Sequence, residues 1–328
     1  MNEKYVEALE QYEPEVLSVR KGRGAWICET KQGFRILREY RGTVKRLEFE
    51  DQVLKTARLD SCLRVDHYIN NREGSLLSIT GDGTRYVMKE WYPDRECDLK
   101  NAGEICQTAA RLALLHKSLR QVEVKEEWNL GSILTESLEE ELKRHNRELQ
   151  RARNYIRGKR SKTEFEICVI DSYGDFYAQA LKAAGMMEEI LAKEGRKKAP
   201  LYLCHGDLDQ HHLLIGKGYT AMVDFNRMHL GVQAADLYRF MRKAMEKHNW
   251  EVKLGRDMLA AYCQKLPMTG DERRILYCLF LYPEKYWKQI NYYYNTNKAW
   301  IPARSTEKLR SLKEQQEARE RFLAEVFG

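Results

Sequence analysis

The strongest constraint on the fold is a change of hydrophobic period close to residue 90. Before it, apolar side chains alternate in short runs cut by glycine turns; after Trp91-Tyr92-Pro93 they recur at helical spacing. Val16–Val19, Ala25–Thr30 and Phe34–Arg38 read as strands, separated by the turns Lys21-Gly22-Arg23-Gly24 and Lys31-Gln32-Gly33. Val44 to Leu59 breaks the alternation, with Val44, Leu47, Val53, Leu54 and Ala57 on one helical face. Leu63–Ile69, Ser75–Thr80 and Arg85–Met88 return to strand. Residues 1–89 are therefore expected to form a small antiparallel sheet carrying one helix.

Beyond a hinge at Glu90–Pro93, residues 90–328 read as a larger helical lobe. Ala102–Leu119 places Ile105, Ala109, Leu112, Ala113 and His116 on one stripe, with His116 a core histidine. Thr135–Arg157, Glu164–Ala192, Ala234–Lys247, Lys253–Lys265, Asp271–Tyr282, Pro283–Asn295 and Ser305–Val326 are further helices. Among them lie a short strand, Leu201–Cys204, and a hairpin, Leu213–Ile215 with Tyr219–Phe225. The class is α+β, and 328 residues suit two domains or one bilobal one at about 150 residues each. With 43% hydrophobic residues the chain has ample material for a core, which excludes wholesale disorder. The longest apolar run, Ile275–Tyr282, falls far short of the roughly 18 residues that cross a bilayer, so no membrane span is expected. The acidic start MNEKYVEALEQYEPEV has no signal-peptide pattern. Eight cysteines are scattered without a CxxC pair, as core thiols made in a reducing cytosol would be.

The most specific chemical signal is Cys204-His205-Gly206-Asp207, followed by Val223-Asp224-Phe225. The hairpin between them returns the chain to its starting end, so Asp207 and Asp224 are expected to face each other. Phosphoryl transfer from a nucleotide uses such a pair: one carboxylate takes the acceptor proton and the other holds the bridging metal. A turn-capping Asp207 and a strand-ending Asp224 would be the structural alternative. The trio His205, His211 and His212 lacks the cysteine or carboxylate spacing of a zinc site.

These residues resemble the aminoglycoside phosphotransferase and choline kinase group, whose loop reads HGD-x4-N. Within that group the chain more closely resembles one branch, the CotS-type spore coat proteins. That likeness is carried by Lys89-Glu90-Trp91-Tyr92-Pro93-Asp94-Arg95-Glu96-Cys97, Leu112-Ala113-Leu114-Leu115-His116, Tyr282-Pro283-Glu284-Lys285-Tyr286-Trp287-Lys288 and Tyr293-Tyr294-Asn295-Thr296-Asn297-Lys298-Ala299-Trp300-Ile301-Pro302. The resemblance implies a bilobal protein-kinase-like fold, with Asp207 as catalytic base and Asp224 as metal ligand. It also implies synthesis in the mother cell cytoplasm, a place in the spore coat, and other coat proteins as partners, with nucleotide a further ligand.

Three positions depart from the active pattern. His212 stands where active members carry a metal-binding Asn, and an imidazole is a poor ligand for magnesium. The phosphate-binding lysine of the third strand falls at Arg38, whose planar fork does not replace a compact ammonium. Asn226 removes a carboxylate that many relatives place two residues after the metal aspartate. The turn Arg20–Gly24 would cover phosphates, or be a plain hairpin turn. The expected function is a catalytically degenerate kinase fold acting as a structural or binding module in coat assembly. The alternative is an ATP- and magnesium-dependent phosphotransferase on a small hydroxylated or amino-sugar substrate, with Asp207 as base, and Arg38, His212 and Asp224 on the cofactor.

Two remaining features have plainer readings. Lys143 to Lys162 holds nine basic residues and one Glu, but only Tyr155 among aromatics and no nucleic-acid motif. It is expected to be a solvated helical face, at most a docking patch for an anionic coat component, and no nucleic-acid partner is expected. The excess of basic over acidic residues, +7 overall, names no partner by itself. Tyr282, Tyr286 and Tyr293 recur at helical spacing and are expected to face the core.

Overall fold

The computed structural model describes residues 4–13, 15–125, 128, 133–191, 201–296 and 303–328. Their contacts divide the chain into two compact units: Met1–Leu134 with Tyr202–Leu230, and Thr135–Leu201 with Gly231–Gly328. The boundary between residues 89 and 90 falls inside the first unit.

In the first unit, α1 (Lys4–Glu10) precedes β1 (Val16–Gly22), β2 (Ala25–Thr30), β3 (Gly33–Glu39) and α2 (Val44–Thr56). Next come β4 (Leu63–Val65), β5 (Tyr68–Ile69), β6 (Ser78–Ile79), β7 (Arg85–Glu90), β8 (Arg95–Glu96) and α3 (Ala102–Leu119). The unit closes with β9 (Tyr202–Cys204), β10 (Leu213–Gly216) and β11 (Tyr219–Met222). One sheet runs β1-β2-β3-β7-β5, with β6 also on β7, and every pairing in it is antiparallel. Its alternation gives it two faces. Cys28, Leu37, Tyr86 and Met88 pack with Ala8 and Tyr12, while Ala25, Ile27 and Ile36 pack with Trp91, Leu214, Ala221 and Val223.

A second sheet, β4-β11-β10-β8, corrects the sequence reading at one informative place. Leu63–Ile69 is not one strand. It splits at Asp66-His67, so that β4 leaves the first sheet and runs parallel to β11, with Val65 opposite Met222. A buried carboxylate at Asp66, 4% exposed, is the physical reason: it needs partners that a continuous apolar strand would not supply. The segment after the hinge also contributes, since Arg95–Glu96 pairs with β10. On α3 the expected stripe is buried, His116 with it, and Asn101 caps the helix by accepting from the Glu104 N–H.

The second unit is helical: α4 (Leu138–Gly158), α5 (Glu164–Leu191), α6 (Ala234–Lys247), α7 (Val252–Lys265), α8 (Gly270–Leu281), α9 (Glu284–Asn295), α10 (Ala303–Glu314) and α11 (Gln316–Phe327). The helix expected over Ser305–Val326 is thus two, interrupted where Gln315 adopts φ −84° and ψ −2°. Tyr282, Tyr286 and Tyr293 are buried as their spacing predicts. At the end of α8, where the last carbonyls lack helical donors, the Arg319 guanidinium reaches over from α11. It donates to the Phe280 and Leu281 oxygens at 2.6 and 2.7 Å. The tail of the aromatic segment, Asn297 to Pro302, lies outside the described residues, as does Ala192. No helix among the described residues is long and apolar enough to cross a membrane.

Candidate functional site

Strand register assembles the site. On β3 and β7 the cross-strand partners Arg38–Val87 and Ile36–Lys89 put four side chains on one face of the first sheet. In the second sheet the parallel pairing of β4 with β11 carries Asp66 alongside Val223 and Asp224. These residues line a cleft of about 510 Å³ within the first unit. Its wall is partly apolar, from Ile36, Val87, Trp91 and Val223, and its remainder is charged.

Asp224 is held from several directions. Its backbone has φ +70°, the left-handed region that few residues other than glycine occupy and that Asp tolerates. Its N–H donates to Asp66 Oδ2 at 3.0 Å, and the same oxygen accepts from Lys89 Nζ at 3.0 Å. The Lys89–Asp66 pair is buried, at 8% and 5% side-chain exposure, and forms a rigid support behind Asp224. In front, Arg38 Nη1 donates to Asp224 Oδ2 at 2.6 Å, while the Asn226 amide donates to Oδ1. Burial pushes the Asp224 carboxyl upward, but the Arg38 charge and hydrogen bond, with Lys89 and His212 behind them, hold it below the usual carboxylate range.

The hairpin loop places the other predicted residues. Gly206 has φ +87°, and a Cβ there would lie 2.0 Å from the Arg227 carbonyl oxygen, so only glycine fits. His205 is fully buried, with Nε2 at 3.0 Å from the Val223 oxygen it donates to and Nδ1 accepting from the Asp207 N–H, and so orients the loop. His212 sits 3.0 Å from Asp209. Burial lowers its proton affinity, but Asp209, Asp224 and Asp207 outweigh that and raise it. Arg38, His212 and Asp224 therefore meet at one cleft. Asp207 is placed differently: its side chain is 51% exposed, 3.5 Å from Arg227 Nε, and it is not among the residues lining the cleft.

Sequence reasoning missed several partners. Lys89 was visible only as part of a motif, though a lysine on the inward face of an apolar strand signals a buried ion pair. Asp66 gave the same signal at the end of Leu63-Arg64-Val65. On α2, Glu50 is buried and accepts from Arg46 Nε at 2.7 Å and from the Tyr68 hydroxyl at 2.6 Å. Arg23, in the β1–β2 turn at φ +54°, ion-pairs with Glu96, donates to the His211 carbonyl and lies 5.3 Å over the Trp91 ring. That turn is tied to the hairpin loop.

The donor set does not suit magnesium as arranged. A hard cation takes about six oxygens near 2.0–2.1 Å. Both Asp224 oxygens already accept N–H donors, and the neighbouring His212 offers nitrogen.

The model of the family described as "Spore coat putative kinase YutH" matches residues 27–326. No curated protein matches the chain. Among solved structures, an aminoglycoside phosphotransferase from Alicyclobacillus acidocaldarius is similar at TM-score 0.82 and 16% identity, over 97% of this chain and 94% of that one. A spectinomycin phosphotransferase, solved as its AMP-bound complex, is similar at TM-score 0.68 and 11% identity, over 97% and 98%. A microcompartment-associated aminopropanol kinase is similar at TM-score 0.64 and 17% identity, over 98% and 97%. At such identities the likeness establishes an aminoglycoside-phosphotransferase-like kinase fold and nothing finer.

Proposed function

The chain belongs to the spore coat putative kinase YutH family, and from that footing we propose that it is a spore coat component whose kinase-like fold is catalytically degenerate and serves as a binding module in coat assembly. The CotS-type branch, synthesis in the mother cell cytoplasm and partnership with other coat proteins belong to the same reading. Residues 1–89 and 90–328 act in it as the two kinase-like lobes, and nucleotide is the cleft's ligand.

One observation carries the proposal: the Arg38–Asp224 ion pair at 2.6 Å. Phosphoryl transfer depends on positioning and on a metal that neutralises charge on the phosphates. Here the metal aspartate is engaged by a guanidinium, and the base position, Asp207, is paired with Arg227. The test is release of ADP by the purified chain with ATP, magnesium and aminoglycoside or small amino-alcohol acceptors. Turnover should equal that of Asp207→Ala; turnover that Asp207→Ala abolishes would establish the phosphotransferase instead. Fractionation of sporulating cells tests the location: the chain should be recovered with the coat, and its absence there would remove the coat role.

A further inference from the structure

We propose that the Arg38 guanidinium stands in for the divalent cation, so that the cleft takes a nucleoside diphosphate without metal. This deepens the binding-module reading above and rests on it. Five carboxylates line the cleft, Glu39, Glu50, Asp66, Glu96 and Asp224. Each is already paired with a basic side chain: Arg41, Arg46, Lys89, Arg23 and Arg38, respectively. Such a surface is compensated before any ion arrives. A divalent cation entering beside Asp224 would have to displace Arg38 from Oδ2 and the Asn226 amide from Oδ1. The left-handed backbone and the buried Lys89–Asp66 support hold Asp224 in that arrangement.

What Arg38 loses in metal chemistry it supplies as charge and donors. A guanidinium has five N–H donors in a planar fork. Among the described residues Arg38 donates one hydrogen bond, to Asp224, while its side chain remains 29% exposed and lines the cleft. The remaining N–H groups match the two oxygens of a phosphate, a charge-assisted pairing that needs no bridging ion. The apolar wall of Ile36, Val87, Trp91 and Val223 suits a base. Asp66 Oδ1, buried and without a hydrogen-bond partner among the described residues, is one acceptor for a ligand hydroxyl. A single such oxygen is far from an octahedral magnesium site.

Calorimetric titration of the full chain with ADP, in EDTA and in excess magnesium, tests this, with pyrophosphate as the second probe. ADP affinity in EDTA should lie within about twofold of that in magnesium, and Arg38→Met should weaken binding in EDTA by about tenfold or more. The same variant should restore binding when magnesium is added, because Asp224 is released to take it. Pyrophosphate should bind more weakly than ADP, also without metal; equal affinities would overturn the nucleoside part of the proposal. ADP binding that requires magnesium in the unaltered chain, an Arg38→Met variant with unchanged affinity in EDTA, or no ADP binding at all would overturn the proposal. The first two results would leave the binding-module reading intact, whereas no ADP binding at all would also remove nucleotide from it; the turnover assay decides degeneracy independently of all three. If Arg38→Met does not fold, Arg38→Lys serves: ADP binding should weaken several-fold in EDTA and stay unresponsive to magnesium, and unchanged affinity would count against the fork.

Discussion

Lys89 shows how much a single buried ion does in this fold. Its ammonium neutralises Asp66, lies 4.2 Å from the centre of the Tyr68 ring, and supports the oxygen that receives the Asp224 N–H. Truncating one partner of a buried pair leaves the other charge uncompensated, which costs about 3–5 kcal/mol. Lys89→Ala should therefore lower unfolding stability by about that amount in urea titrations, whereas Lys89→Met combined with Asp66→Asn should recover most of it. Equal losses in the single and double variants would mean that the uncompensated Asp66 charge is not what destabilises the single variant. Gly206 makes a second residue-scale case. Gly206→Ala drives a methyl into the Arg227 carbonyl at a strained φ and should cost more than 2 kcal/mol, roughly, by the same measurement.

At the scale of elements, α8 begins with a reciprocal cap. Thr269 Oγ1 accepts from the Glu272 N–H at 3.1 Å, and the Glu272 carboxylate accepts from the Thr269 N–H at 2.8 Å. Thr269→Ala should remove about 1 kcal/mol. The packing of α4 on α9 carries a pH dependence. His145 of α4 stacks on Trp287 of α9 at 3.5 Å and is 3% exposed. Burial, helped by the Arg144 charge and by Lys288 of α9, lowers its pKa to about 3; Glu284 of α9 opposes the shift, and Glu141 lies 3.9 Å away. The unfolded chain takes up this proton near pH 6.5, as ordinary histidine does, while the folded chain resists it. Stability is thus fully present above that pH and falls as pH drops towards 3. Between pH 7 and 5 the loss should be about 1–2 kcal/mol, and His145→Phe should flatten that slope in thermal melts. An unchanged slope would assign the acid sensitivity to other groups.

For the whole molecule, Lys89 and Thr269 belong to different compact units. Lys89→Ala and Thr269→Ala should then add within about 0.5 kcal/mol when combined. A larger coupling would mean that the units exchange strain. Much of this architecture was legible along the chain. Ala102–Leu119 and Ala234–Lys247 were read to the residue, because helical periodicity is a local quantity. Arg38, His212 and Asp224 were named through the kinase resemblance, Arg38 by its place on the third strand and the other two by their place after His205-Gly206-Asp207. Asp66, Lys89, Glu50 and Arg23 were not, since each matters through a partner whose position depends on strand register. By itself the sequence determined most of the strands and helices, though not the helix at Lys4–Glu10 or the strand at Arg95–Glu96, together with the residue types available to the cleft; what it determined follows from periodicity. Only the tertiary structure decided that β4 leaves one sheet for another and that Arg38 closes on Asp224 across 186 positions. Ion pairs form by distance, and distance between remote segments exists only once the chain has folded.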